Sequence, residues 1–211
     1  NFNPTGAFGG LPTNPGMVTI DLATDTDEAQ AVIIQDDGKI VVVGDVDSDS
    51  SITIDNDFGV LRLNADGSPD TDFSGDGKVT TEFGTEDIAK AYGVAIQDDG
   101  KIVVVGGGFS VARYNSDGSL DASFDGDGIV TTAFESGSGT CWALAVQPDG
   151  KLVAVGQALD PVLRTYDFVL VRYNADGSLD TSFDGDGIVT SAISAENDIA
   201  FALVVQPDGK L

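Results

Sequence analysis

Three stretches decide the fold: Arg62-Leu63-Asn64-Ala65-Asp66-Gly67-Ser68, Arg113-Tyr114-Asn115-Ser116-Asp117-Gly118-Ser119 and Arg172-Tyr173-Asn174-Ala175-Asp176-Gly177-Ser178. Each runs directly into a second block, Asp70 to Gly77, Asp121 to Gly128 and Asp180 to Gly187. A third block recurs four times, as Gln35-Asp36-Asp37-Gly38-Lys39, Gln97-Asp98-Asp99-Gly100-Lys101, Gln147-Pro148-Asp149-Gly150-Lys151 and Gln206-Pro207-Asp208-Gly209-Lys210, at spacings of 62, 50 and 59 residues. Blocks that recur in a fixed order define a tandem repeat, and a repeat decides architecture before any local propensity does.

Working outward from these blocks, short runs rich in Val, Ile and Phe lie between Asp-Gly pairs suited to tight hairpins. In the second repeat the runs are 78–83, 91–97, 101–106 and 109–115, and in the third 129–134, 141–147, 151–156 and 168–174. The pattern predicts an all-β chain of tandem four-stranded antiparallel blades, propeller-like, either a partial propeller or a segment of a longer array. The predicted units within a single repeat domain over 1–211 are the end of a preceding repeat (1–16), three blades (17–77, 78–128 and 129–187) and the start of a fourth (188–211). The near-continuous apolar runs 31–34, 93–96, 143–146 and 202–205 are expected as inner strands covered on both faces. Insertions at 45–55 and 157–166, absent from the second repeat, read as exposed loops.

Composition narrows the chemistry. The 211 residues carry 35 Asp+Glu against 10 Lys+Arg, a net charge of -25, with one Cys and no His. Without histidine there is no Ser-His or Cys-His pair and no His-bound zinc or haem. A single Cys forms no internal disulfide and no thiolate cluster. So acidic a surface repels nucleic acid and anionic lipid, and no run approaches the roughly 18 apolar residues of a spanning helix. The best candidate ligands are cations. The chain lacks an initiator Met and a signal peptide, and so reads as a mature or excised segment.

The order Gln-x-Asp-Gly-Lys-Ile/Leu-Val-x-x-Gly, then Phe-x-x-x-Arg-Tyr-Asn-x-Asp-Gly-Ser-Leu-Asp-x-Ser-Phe, then Gly-x-Val-Thr-Thr resembles the delta-60 repeat, over essentially the whole chain from Asn3 to Leu211. That resemblance implies a β-propeller-type, non-enzymatic repeat of large bacterial extracellular or surface proteins, hence secretion or display at the cell surface. The sequence departs from the family pattern after the Phe, where Asp125-Gly126-Asp127-Gly128 and Asp184-Gly185-Asp186-Gly187 add carboxylates.

Calcium is the sharpest expectation. Alternating oxygen donors with a turn Gly suit a hard cation. They occur at Asp70-x-Asp72-x-Ser74-Gly75, Asp121-x-Ser123-x-Asp125-Gly126 and Asp180-x-Ser182-x-Asp184-Gly185, with Asp76, Asp127 and Asp186 close behind. No Glu stands at the twelfth position, which excludes the helical form of such a loop. The alternative reading is solvated turns held by Asx hydrogen bonds. The first insertion offers a second candidate through Asp45, Asp47 and Asp49, followed by Asp55 and Asp57, and Asp25 with Asp27 a weaker one. The recurrent Lys39, Lys101, Lys151 and Lys210, and Arg62, Arg113 and Arg172, are expected to pair with these carboxylates. Cys141 aligns with Ala29, Ala91 and Ala200 and is expected in the core. Trp142 aligns with Gln30, Tyr92 and Phe201, a position for blade packing rather than sugar stacking.

These features predict a non-catalytic structural or adhesive module, Ca²⁺-stabilised. Its partners would be other repeats of the same or neighbouring chains, with extracellular matrix or glycan outside them. Two alternatives remain: a homo-oligomeric filament subunit completed by neighbouring strands, and a propeller lectin or hydrolase with a central cation.

Overall fold

The computed structural model describes residues 16–22, 27–47, 56–83, 89–135, 137 and 139–211. Three antiparallel four-stranded sheets account for the strands, each sheet built in chain order. The first holds β1 (Asp27–Ile34), β2 (Ile40–Asp47), β3 (Asn56–Leu63) and β4 (Lys78–Thr81). The second holds β5 (Ala91–Ile96), β6 (Ile102–Gly106), β7 (Ser110–Tyr114) and β8 (Ile129–Thr131). The third holds β9 (Gly139–Val146), β10 (Leu152–Leu159), β11 (Tyr166–Tyr173) and β12 (Ile188–Ser191). Among the described residues no helix is long and apolar enough to cross a membrane.

The sheets stack through their first strands, with β5 lying against both β1 and β9. One core cluster joins the first two sheets through Val41, Val43, Phe58, Phe73, Ile102 and Tyr114; another joins the second to the third through Val103, Phe109, Phe124, Cys141, Val169 and Tyr173. The central strands β6 and β7 are buried throughout, as strands covered by a sheet on each face must be. Cys141 is wholly buried in this core, and burial pushes its thiol far above the usual range.

Sheet and sequence repeat are offset by one strand. The run at Lys78, placed by the sequence at the start of the second unit, pairs with β3 instead, Leu61 opposite Lys78 and Phe58 opposite Thr81. The reason is the compact Asp70–Gly77 turn, which reverses the chain onto the strand it has just left. The insertions begin as strand, β2 continuing to Asp47 and β10 to Leu159. In the third repeat the expected exposed loop follows at 160–165, and in the first the remainder, 48–55, lies outside the described residues. The 202–205 run, expected as an inner strand, forms none.

A glycine marks the irregular point in the pairing of the first two strands of every sheet. Gly44, Gly106 and Gly156 sit at or beside register shifts in the first hairpin. There a Cβ would lie 1.9, 1.8 and 1.9 Å from the carbonyl oxygens of Glu28, Lys90 and Thr140. No side chain fits, which is why this Gly recurs at the end of each Val-rich run.

Candidate functional site at the blade junctions

The recurrent Arg organises each junction. In the first sheet the block after the Arg folds back on it: Asp70 N–H donates to the Arg62 carbonyl, and Arg62 N–H donates to the Gly77 carbonyl. This places the Asp70 carboxylate 2.6 Å from Arg62 Nε and 2.9 Å from Lys39 Nζ. The Arg62 guanidinium lies 4.6 Å from the centre of the Phe73 ring. The set repeats with Arg113, Asp121 (2.7 Å) and Phe124 (4.5 Å), and with Arg172, Asp180 (2.7 Å) and Phe183 (4.4 Å). Lys151 reaches Asp180 at 2.7 Å, whereas Lys101 turns mainly to Asp99 at 2.6 Å.

These contacts decide the charge states. Burial opposes ionisation of Asp70, but hydrogen bonds from Lys39 and Arg62 outweigh it and hold the carboxyl below its ordinary value. At Asp121 burial is likewise outweighed, by Ser123 and Arg113. Lys151 and then Ser182 lower Asp180 furthest.

The following repeat then closes over the Phe. Ser74 N–H donates to the Asp117 carbonyl at 2.7 Å, and Asp125 N–H to the Asp176 carbonyl at 2.7 Å. Gly118 and Gly177, both at positive φ, press on the Phe73 and Phe124 rings so closely that a Cβ would lie 3.2 and 3.1 Å from ring carbons. Arg113 Nη1 adds a bond to the Ala175 carbonyl at 2.5 Å. On the same junctions the hydroxyls of Thr81 and Tyr114 meet at 2.7 Å, and those of Thr132 and Tyr173 at 2.5 Å. The sequence did not reveal this inter-repeat closure; its only trace is that Tyr114 and Tyr173 replace Leu63 in the two repeats that have a described sheet before them.

The carboxylates expected to hold calcium are distributed differently. Asp70, Asp121 and Asp180 point their charge at Arg and Lys. Ser123 and Ser182 donate their hydroxyls to Asp121 and Asp180. Asp76, Asp127 and Asp186 accept the backbone N–H two residues on, as in the Asx-turn reading. Asp72, Asp125 and Asp184 are exposed. Asp45 and Asp47 lie on β2 rather than in a loop. Asp45 is buried against Lys90 Nζ at 2.7 Å and accepts from Gln30 at 3.3 Å. Asp49, with Asp25 and Asp55, falls outside the described residues. Among the described residues no three Asp, Glu or Cys side chains converge closely enough to hold a metal ion.

Trp142 packs between aromatic residues of neighbouring repeats, its ring 4.4 Å from Tyr92 and 5.5 Å from Phe201.

The chain matches a family model described as "Domain of unknown function (DUF5122) beta-propeller" over residues 35–73, 97–124 and 147–183. Each match begins at the Gln of an Asp-Gly-Lys turn and ends at the Phe of an Arg-Asp-Phe set. No curated protein matches the chain. Three stacked antiparallel sheets and three matches in phase with them identify the chain as built from repeats of a β-propeller type.

Proposed function

We propose that the chain is a non-catalytic structural module, of the delta-60 kind, within a secreted or cell-surface array. Its work is to stack further repeats. One observation carries this reading: Phe73 and Phe124 are wholly buried beneath the next repeat's Asp-Gly turn, while Phe183, in the same setting, is only half-buried. The third blade therefore presents the surface that the interior junctions cover. The recurrent charges are committed to holding the blades in shape, and a scaffold needs nothing more of them.

The test is to append a copy of residues 153–191 after Leu211, which stands where Leu152 stands in the third repeat, so that the added strands and Asp-Gly turn follow in register. The expected outcome is a single cooperative transition at higher temperature, with loss of solvent access at Phe183. An unchanged transition with Phe183 still accessible overturns the reading.

A further inference from the structure

Four buried carboxylates, Asp45, Asp70, Asp121 and Asp180, each hold a Lys or Arg of the chain. Asp167 does not. It is 5% exposed, and its Oδ1 is buried without a hydrogen-bond partner. It sits on β11 opposite Ala158, on the same face as the core residues Val169 and Val171. Burial, then the charges of Asp160 and Asp198, push its carboxyl above the ordinary value.

Asp167 lines a cavity of about 390 Å³ whose walls include Phe134, Glu135, Leu159, Asp160 and Asp186. Among the described residues no Lys or Arg lines it. The cavity lies where the segment after β8 meets the lengthened β10–β11 hairpin and the start of β12. The second repeat lacks that insertion and has Gly108 at the position of Asp167, so the junction of the first and second sheets cannot build the same cavity.

An unpaired buried carboxylate demands a counter-charge. Since among the described residues no three carboxylates converge closely enough for a metal, the acids of this cavity are spread over its walls. Apolar surface from Phe134, Leu159 and Ile188 lies between them. Dispersed acid and apolar wall suit a cation with a hydrocarbon body, whose ammonium donates to the carboxylate while its methylenes lie on the aromatic and aliphatic side chains. We infer that this cavity binds a primary alkylammonium group, carried by a lysine side chain or a free amine, with Asp167 as its principal counter-charge. This site does not depend on the stacking role proposed above.

The probe is n-butylammonium chloride, titrated into the full chain at constant ionic strength and followed by amide ¹H–¹⁵N shifts. Saturable shifts confined to residues 133–135, 158–167 and 186–190 are expected. Asp167→Asn, which keeps the side-chain shape, should weaken binding about tenfold or more, as for loss of a charge-assisted hydrogen bond. Asp160→Asn should weaken it less, and Asp36→Asn on a remote exposed turn not at all. A Gly-Lys-Gly peptide that binds more tightly than n-butylammonium assigns the site to a protein-borne lysine; equal or weaker binding assigns it to a free amine. Shifts spread over the acidic surface, or equal affinity in Asp167→Asn, overturn the proposal. So does saturable binding of CaCl₂ at these amides with none of the ammonium.

Discussion

The junction between the second and third blades and the far side of the third blade are built from the same residues and differ in what covers them. At the junction the Arg113 side chain is 5% exposed, Phe124 is sealed by Gly177, and a guanidinium nitrogen reaches across to Ala175. On the far side the Arg172 side chain is 19% exposed and Phe183 is half-buried, although the Arg-Asp and Arg-Phe distances are unchanged. The Arg-Asp-Phe set thus forms within one repeat and does not need its neighbour. The neighbour removes water from it, and that step turns a local ion pair into a strong constraint, because burial raises the cost of losing either partner.

The largest expected effect tests that statement. Arg113→Ala should destabilise by about 3–5 kcal/mol, the usual cost of stripping one partner from a buried pair, as read by urea denaturation. Arg172→Ala, in a wetter setting, should cost about 1 kcal/mol or less. Equal losses would break the comparison. Phe124→Ala should cost about 3–5 kcal/mol as a large-to-small core change, and Phe183→Ala about half of that.

A smaller effect comes from pH. Asp70, Asp121 and Asp180 have lowered pKa values in the folded chain. Their stabilisation is therefore complete above the unfolded carboxyl value of about 4 and is lost as the pH falls through their lower folded values. Asp167 has the opposite sign: its raised pKa means that ionised Asp167 destabilises the folded chain at neutral pH, and protonation relieves it. Asp167→Asn should accordingly stabilise the folded chain at pH 7 in the absence of amine, with the gain vanishing in acid; thermal melts across pH measure both. The smallest expected effect is that of a chelator. With the first carboxylate of each Asp-rich loop held by Arg, EDTA and CaCl₂ should give superimposable melting curves, and a fall in Tm with EDTA would return the loops to calcium.

Much of this architecture was legible in the residues. The repeat blocks marked the turns, and the scarcity of positive charge foretold that Arg62, Arg113 and Arg172 would pair with nearby Asp. The grouping of strands into sheets was not legible, because a tandem repeat is periodic and its sequence does not say where a unit begins; only the pairing of β4 with β3 settles the phase. Asp167 was hidden for a different reason. Among 30 Asp residues it has a counterpart in Asp57 of the first repeat, which also precedes the Phe four residues before the Arg, and what marks it out is the acidic cavity it lines, a property of three-dimensional surroundings. The shorter repeat has Gly108 at that place. The role of the loop carboxylates was not legible because a donor spacing suited to calcium is equally suited to Asx turns, and the Arg that pairs with the first of them stands eight residues upstream in each repeat.

The chain's single tryptophan rests between Tyr92 of the preceding repeat and Phe201 of the following one, with its indole N–H buried and unbonded. Trp142 is therefore a built-in optical gauge of the distance between repeats. Trp142 is half-buried between these rings, and its emission should shift to the red when either neighbour swings away, so the order in which an array of these blades comes apart can be read without any label.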